Sequence, residues 1–417
     1  MIAPPSRVIV CQLGAREHYA MPRTLHRAGL LEELVTDIWV PPSSTFGHAS
    51  GRVGERLRGR YNAELGVAKV TRFNRMAFAR EAIKYVSRPR SHWDDLISQN
   101  RWFQKEAVRH LKASNALERK GPKSVVLAYS YAAREILALA RDAGARTILV
   151  QIDGAEADEA LISAHWANRL QSVPCKAPGA YWAAWREECQ LADWILVNSE
   201  WSKQLLVRAG VNADKLVITP VVYDRSGSST SARHLYPRAF DAVRPLRVLF
   251  LGALTLRKGV LEALDAARAL ADRPVQFIFV GQDAESWASL MERQPNITRH
   301  DRVPRSRVLQ LYGDADVFLF PTLSDGFGLT QIEALEAGLP VIASRNCAAI
   351  VEHGRTGLLL EKVSANEIER AINYCLEHPE KLSAMSAAAL AAGRKFGRKS
   401  AATFLEVMRK LAAPELQ

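Results

Sequence analysis

The chain has 417 residues, of which 48% are hydrophobic and 24% are charged. This ordinary composition excludes a fibrous or disordered protein, and the length favours two domains over one compact core. Lysine and arginine number 56 against 44 aspartate and glutamate residues, for a formal net charge of +12. Such an excess attracts anions, among them nucleic acid, anionic lipid headgroups and diphosphates, but a solvated basic surface explains it equally well.

The cysteines and the apolar runs indicate where the protein works. Five scattered cysteines without a C-x-x-C pair argue against a disulfide framework and against zinc. We therefore expect a reducing, cytoplasmic setting. The N-terminal apolar run is too short for a signal peptide, and no apolar stretch reaches the roughly 18–20 residues of a membrane span. Peripheral contact of the basic surface with the inner face of the membrane stays open.

Two segments look like the opening strand of a nucleotide-binding α/β domain. They are 7–14 and 246–252, each a short apolar run that ends at glycine, as buried parallel strands do before a βα turn. The first half continues with strand candidates at 124–129, 147–152 and 194–198, with helical segments between them. This alternation predicts a parallel, doubly wound sheet.

The rest of the chain predicts an insertion, a linker and a second α/β domain. Residues 43–120 are rich in arginine and helix formers, which predicts a mostly helical insertion in a first domain at 1–222. The Ser/Gly-rich stretch 226–231 places a linker at 223–245. A second domain is expected at 246–395, and a last helix at 396–417 is expected to pack back on the first. The second domain has strand candidates at 276–281, 317–320 and 341–344 and helix candidates at 259–272, 305–313, 328–337, 365–377 and 380–394.

The strongest chemical signal is a strand, loop and helix at 315–344. Gly326 and Gly328 in the loop let the backbone approach a ligand closely. The following helix begins with free N–H groups and a positive dipole end, which suit anions or sugar hydroxyls. Glu333 lies in its first turns, where a carboxylate can bind a diol such as a ribose. From these residues alone, a capping role for Asp325 and a surface position for Glu333 are the plainer interpretation.

The segment from Asp325 to Glu333, followed by 337–344, resembles the E-x7-E region of the family 4 retaining glycosyltransferases, also called glycosyl transferases group 1. The resemblance implies the GT-B fold, in which two Rossmann-like domains face each other across a cleft, and a nucleoside diphosphate sugar as the donor. It implies that Asp325, one methylene shorter than the usual Glu, lies by the donor sugar and that Glu333 binds the ribose. The implied sugar-binding loop residues are Gly326, Phe327, Gly328, Leu329 and Thr330.

A second segment, 252–260, resembles the family's strand, loop and helix that ends in Lys-Gly. By this resemblance Lys258 binds the donor diphosphate. Ala253 occupies the position of the family's arginine, and we hypothesise that Arg257 supplies that charge from nearby. Without the first motif, both cations would be read as surface residues before a helix.

Five further residues are weaker candidates. Gly281, which follows a strand, and Val303 match nucleotide-contacting and base-facing positions of the family. Asp153 stands where the family often carries a histidine near the donor sugar, and it is either an acceptor-side carboxylate or a strand-end turn residue. Gly14 is expected to let the backbone approach the phosphates. His18 is expected to face the cleft, although a lone histidine is more often structural.

Together these signals predict a retaining glycosyltransferase of polysaccharide or glycoconjugate biosynthesis. Its candidate catalytic residues are Asp325, Lys258, Asp153 and His18. We expect no metal and no cofactor beyond the nucleoside diphosphate sugar, no nucleic-acid partner, and an acceptor that is a glycan, a lipid-linked sugar or a small metabolite. Two alternatives stay open: a non-catalytic nucleotide-sugar-binding GT-B protein, and a GT-B nucleotide-sugar epimerase or hydrolase. The sequence contains no P-loop, and no complete G-x-G-x-x-G follows either opening strand.

Overall fold

A computed structural model describes residues 7–44, 48, 51–86, 91–118, 123–167, 176–223, 234–283 and 286–413. The strands of the first half are β1 (Val8–Gln12), β2 (Leu31–Thr36), β3 (Val70–Arg72), β4 (Val125–Tyr129), β5 (Arg146–Gln151), β6 (Trp194–Val197) and β7 (Leu216–Ile218). Its helices are α1 (Ala20–Arg27), α2 (Gly51–Arg58), α3 (Asn74–Val86), α4 (His92–Ala113), α5 (Arg134–Asp142), α6 (Ala155–Trp166), α7 (Gly179–Leu191) and α8 (Glu200–Arg208). The strands form one parallel sheet in the order β3-β2-β1-β4-β5-β6-β7.

The second half repeats this plan. Its strands are β8 (Leu246–Leu251), β9 (Val275–Val280), β10 (Ile297–His300), β11 (Val317–Phe320), β12 (Val341–Ser344) and β13 (Gly357–Leu360). Its helices are α9 (Val260–Ala269), α10 (Ala288–Met291), α11 (Arg305–Asp314), α12 (Leu329–Glu336), α13 (Ala365–Glu377) and α14 (Pro379–Ala412). The strands form a second parallel sheet in the order β10-β9-β8-β11-β12-β13.

Both sheets are doubly wound, because each opening strand lies between the strand that follows it and a strand from later in its half. In such sheets a crevice forms outside the carboxyl ends of the central strands, where the strand order reverses. These reversal points lie between β1 and β4 in the first domain and between β8 and β11 in the second. The predicted pair of Rossmann-like α/β domains is therefore confirmed.

The segment predicted as a helical insertion also belongs to the sheet. It contains α2, α3 and α4, but β3 pairs with β2 at the edge, with Leu34 opposite Val70. The strand β2 carries Glu33, whose buried carboxylate accepts hydrogen bonds from Lys69 at 2.6 Å and His110 at 2.7 Å. Burial alone would raise the pKa of Glu33, but these hydrogen bonds lower it to about 2.

The C-terminal part of the chain is one long helix rather than two. The predicted helices at 380–394 and 396–417 merge into α14, because no proline separates them and Gly393 lets α14 pack closely on α12. Its first half packs in the second domain through Met385, and its second half packs in the first domain through Phe404 and Met408. The Ser/Gly-rich stretch at 226–231 lies outside the described residues. Within the described residues, no helix has both the length and the apolar character that a membrane span needs.

Candidate functional site

A cavity of about 340 Å³ lies between the two domains. The first domain lines it with Arg16, Glu17, Ile152, Asp153 and Asn198. The second domain lines it with Arg257, Lys258, Asp325, Gly326, Phe327, Gly328, Leu329 and Thr330. All of these residues follow the carboxyl ends of β1, β5, β6, β8 and β11. The cavity therefore lies where the crevices of the two doubly wound sheets face each other.

A half-buried ion pair forms the floor of the cavity on the second-domain side. The ammonium of Lys258 donates a hydrogen bond to the carboxylate of Asp325 and lies 5.1 Å from the ring centroid of Phe320. Burial lowers the pKa of Lys258, against the opposing effect of Asp325. Burial also acts to raise the pKa of Asp325, but the charges of Lys258 and Arg257 hold it below its ordinary value. The site thus keeps an ionised carboxylate beside two cations.

Arg257 is fixed at the cavity by the loop that follows β11. Its guanidinium donates to the carbonyl oxygen of Ser324 at 3.1 Å. Its own carbonyl oxygen accepts from the amide of Leu323 at 2.8 Å and from the hydroxyl of Thr322 at 3.0 Å. Ala253 is exposed and is not among the residues that line the cavity. The positive charge near β8 is therefore brought to the cavity by Arg257 and Lys258.

Glu333 lies one turn into α12, beside the cavity rather than in its wall. One carboxylate oxygen accepts from Arg305 at 3.2 Å and the other from the hydroxyl of Tyr312 at 3.1 Å. Tyr312 is fully buried, and this burial, together with the charge of Glu333, raises its pKa well above its ordinary value. Its hydroxyl therefore stays protonated and orients the carboxylate as a fixed donor.

Asp153 is held rigidly on the first-domain side of the cavity. Its Oδ1 accepts hydrogen bonds from the Tyr131 hydroxyl, from Gln151 Nε2 at 3.0 Å and from the amide of Ala155 at 3.1 Å. Gln151 is itself oriented by Trp185, whose ring N–H donates to its Oε1 at 3.0 Å. Asp153 is thus a turn residue at the end of a strand and also forms part of the cavity wall.

Besides Glu333, four of the predicted site residues do not line this cavity. The amide of Gly14 donates to Asp37 at 3.0 Å, so it is not free to approach a phosphate. His18 is exposed; burial of part of its ring and the charge of Arg305 lower its pKa. Gly281 packs against a backbone carbonyl at the end of the neighbouring strand, and a side chain at this position would have no room. Val303 packs against the apolar cluster around α12.

The loop between β11 and α12 is also clamped by the first domain. Ser199 and Ser202 donate hydrogen bonds to the carbonyl oxygen of Gly326 at 2.7 and 3.1 Å. The hydroxyl of Ser324 accepts from Trp201 at 2.8 Å and donates to Asp158. These contacts were not predicted.

Asp158 is a further titratable group that sequence reasoning missed. It is buried at the start of α6, where it also accepts from the amide of Gly154 at 2.8 Å. Burial and the nearby charge of Asp153 raise its pKa to about 6. Nothing in the local sequence distinguishes it from a surface aspartate in the first turn of a helix, because its partner Ser324 is remote in the chain.

A second contact between the domains lies beside the first. Trp166 from α6 packs with Leu256 and Leu323 of the second domain in a small apolar cluster. Next to it, the ring of His165 lies 2.6 Å from the buried carboxylate of Glu262. The apolar and polar contacts together join the two domains beside the cavity.

Comparisons with known proteins agree with this architecture. The structure of the Anabaena protein Alr3699/HepE in complex with UDP and glucose matches with a TM-score of 0.62 at 15% identity, over 97% of this chain and 99% of that one. This likeness concerns the fold, and the chain has the expected GT-B arrangement of two Rossmann-like domains. Residues 245–378 match the family model described as glycosyl transferases group 1.

Curated relatives match over part of their length. A Klebsiella pneumoniae protein described as an uncharacterized 41.2 kDa protein in the cps region is 23% identical over 179 residues, which cover 42% of this chain and 50% of that protein. A D-inositol 3-phosphate glycosyltransferase from Arthrobacter sp. (strain FB24) is 28% identical over 173 residues, which cover 38% of this chain and 41% of that protein. The chain thus spans about half the length of the curated relatives it matches.

Proposed function

We propose that the protein is a retaining glycosyltransferase of family 4, which moves a sugar from a nucleoside diphosphate sugar to a hydroxyl of an acceptor. The observation that carries the proposal is the half-buried pair of Lys258 and Asp325, which faces the first domain across the cavity. The match of 245–378 to glycosyl transferases group 1 supports it. The UDP and glucose bound by the structural relative are consistent with a nucleotide-sugar donor.

In this proposal the second domain holds the donor and the first domain holds the acceptor. Breaking the bond at the anomeric carbon leaves negative charge on the diphosphate. Lys258, Arg257 and the amides at the start of α12 stabilise that charge, in the role that a metal ion plays in other transferases. The acceptor hydroxyl attacks from the face that the diphosphate leaves, and a diphosphate oxygen takes its proton. The contact between the two domains beside the cavity limits the entry of competing water.

Glu333 is the proposed ribose-binding residue, and Glu333→Gln is expected to weaken nucleotide binding. Hydrogen bonds to a charged group contribute about 1.5–3 kcal/mol, which corresponds to roughly a 10- to 100-fold rise in Kd. The Kd of UDP, GDP and ADP by calorimetry checks this. Glu352→Gln is the matched control, because that glutamate is an exposed carboxylate of the same domain. Equal affinity in wild-type protein and Glu333→Gln would remove Glu333 from the site.

The activity itself is tested by incubating the protein with a nucleotide sugar that stabilises it and with a panel of methyl glycosides, in buffer containing EDTA. NMR then follows the anomeric configuration of the product. We expect a new glycoside with the configuration of the donor, at a rate that EDTA does not change. Release of free sugar, epimerised donor or inverted product would contradict the proposal in favour of a hydrolase, an epimerase or an inverting enzyme.

A further inference from the structure

The turn after β1 adopts an unusual backbone conformation where it meets the cavity. Glu17, His18 and Tyr19 follow one another with φ angles of 51°, 51° and 59°, in the left-handed region. Non-glycine residues in this region carry a cost of about 1–3 kcal/mol each, and such strain clusters at functional sites. Gln12 holds the turn by donating from Nε2 to the carbonyl oxygens of Gly14 at 3.0 Å and Arg16 at 3.1 Å.

This strained turn places Glu17 in the wall of the cavity. Its Oε2 is buried and, among the residues that the structure describes, has no hydrogen-bond partner. The same is true of the hydroxyl of Tyr129 at the end of β4, close enough for the charge of Glu17 to raise its pKa. An unsatisfied buried carboxylate is unfavourable, so its persistence at a cavity wall points to a ligand that supplies the missing donor.

We propose that Glu17 binds the acceptor, by accepting a hydrogen bond from a hydroxyl of a sugar or another polyol. This inference rests on the proposed function and names the residue that receives the acceptor. Glu17 lies on the first-domain wall, together with Asp153, whereas Lys258 and Asp325 lie on the opposite wall. Asp325 and Asp153 already have donors, from Lys258 and Tyr131, whereas the described part of the chain supplies none to Oε2 of Glu17.

The charges around the cavity favour a neutral hydroxyl as the missing donor. Arg16 faces the cavity from the same turn, and Arg257 and Lys258 face it from the second domain. These three cations disfavour a positively charged ligand group beside Glu17. Nucleoside diphosphate oxygens are acceptors and cannot satisfy a carboxylate. A hydroxyl donates to the carboxylate and is the group that the proposed reaction consumes.

The environment of Glu17 makes this binding dependent on pH. Burial raises its pKa to about 7, although Arg16 opposes the effect. The ionised carboxylate, which can accept a hydrogen bond from the hydroxyl, therefore forms as the pH rises through about 7. Because the folded pKa lies above the unfolded value of 4.5, Glu17 stabilises the fold below pH 4.5, and this contribution is lost as the pH rises through about 7.

The first test compares the Tm of wild-type protein and Glu17→Gln between pH 4.5 and pH 8, without ligand. The glutamine keeps the shape and removes the charge, so Glu17→Gln should gain in Tm relative to wild type as the pH rises. Asp158 and Glu188, whose pKa values burial also raises, are the same in both proteins and cancel. Glu187→Gln, which changes an exposed carboxylate, should track wild type. A constant Tm difference across this range would contradict the buried, unpaired state of Glu17.

The second test measures transfer from the stabilising nucleotide sugar to methyl glycosides. Glu17→Gln is expected to lower kcat/KM for the glycoside by about 10- to 100-fold, to remove the rise in rate near pH 7 and to leave the Kd of the nucleoside diphosphate unchanged. Equal rates and equal pH profiles would overturn the acceptor role alone. Weaker nucleotide binding would assign Glu17 to the donor instead. Wild-type protein that binds nucleotide but transfers to no glycoside would contradict the proposed function as well.

Discussion

Lys258→Ala is expected to lower kcat for sugar transfer by about 100- to 1000-fold, the usual effect of removing one preorganised charge from a developing anion. Lys258 is half-buried at the cavity floor and contacts Asp325, so its ammonium is already in place before the donor binds. Burial strengthens its interaction with a diphosphate, because water screens the charge poorly there. The effect should appear in kcat as well as in nucleotide affinity, since charge on the leaving group grows in the transition state.

A double variant separates this chemical effect from a loss of stability. Lys258→Ala leaves the half-buried carboxylate of Asp325 without its cation, which destabilises the fold. Lys258→Met with Asp325→Asn replaces the pair by uncharged side chains of similar size, and should regain Tm but not activity. Arg268→Ala is the control, because its exposed guanidinium pairs only with Asp265 at the surface of α9 among the contacts seen in the described residues. Single-turnover rates check the result; wild-type rates in the double variant would contradict the role of Lys258.

Gly326→Ala is expected to lower kcat/KM by about 100-fold, the scale of a 1 Å misplacement at a reacting centre. A Cβ at this position would lie 2.2 Å from the carbonyl oxygen of Ile152 in the first domain. The clash is with backbone, so the loop or the whole domain must move. Movement would break the hydrogen bonds that Ser199 and Ser202 donate to the carbonyl oxygen of Gly326.

Gly313→Ala is the matched control for this variant. Gly313 lies in α11, and a Cβ there would meet no atom within 4 Å. Alanine in a helix is favoured over glycine by about 0.5–1 kcal/mol, so this control should be at least as stable as wild type and fully active. Steady-state kinetics and small-angle scattering check both variants. An active Gly326→Ala with an unchanged scattering profile would contradict a functional role of the domain contact.

The two-domain fold was predictable because the central strands are continuous apolar runs that end at glycine. The opening strands β1 and β8 stand out in this way, whereas β5 and β11 are apolar runs that lead into Ile152 and Pro321. The strand β2 was missed because two glutamates interrupt its apolar pattern. Its Glu33 is tolerated in the core only because Lys69 and His110, remote in sequence, supply hydrogen bonds.

The candidate site was predictable mainly on one wall. Lys258 and the loop from Asp325 to Thr330 form local motifs, and the structure brings them to one cavity. On the other wall, sequence reasoning chose Asp153, which lines the cavity, and His18, which does not, whereas its neighbour Glu17 does. Which residue of the turn faces the cavity depends on left-handed backbone angles at three successive residues. No side-chain pattern in the turn indicates these angles. The roles of all these residues in catalysis stay predictions.

Nucleotide binding at the cavity is tested most directly by thermal unfolding with UDP, GDP and ADP, in wild-type protein and in Lys258→Ala. A ligand that binds only the folded state raises Tm as its concentration grows, by about 2.7 kcal/mol of stability at 100 times its Kd. The predicted result is that at least one nucleoside diphosphate raises the Tm of wild-type protein and shifts that of Lys258→Ala far less. No shift with any of the three, or equal shifts in both proteins, would contradict a diphosphate site at Lys258.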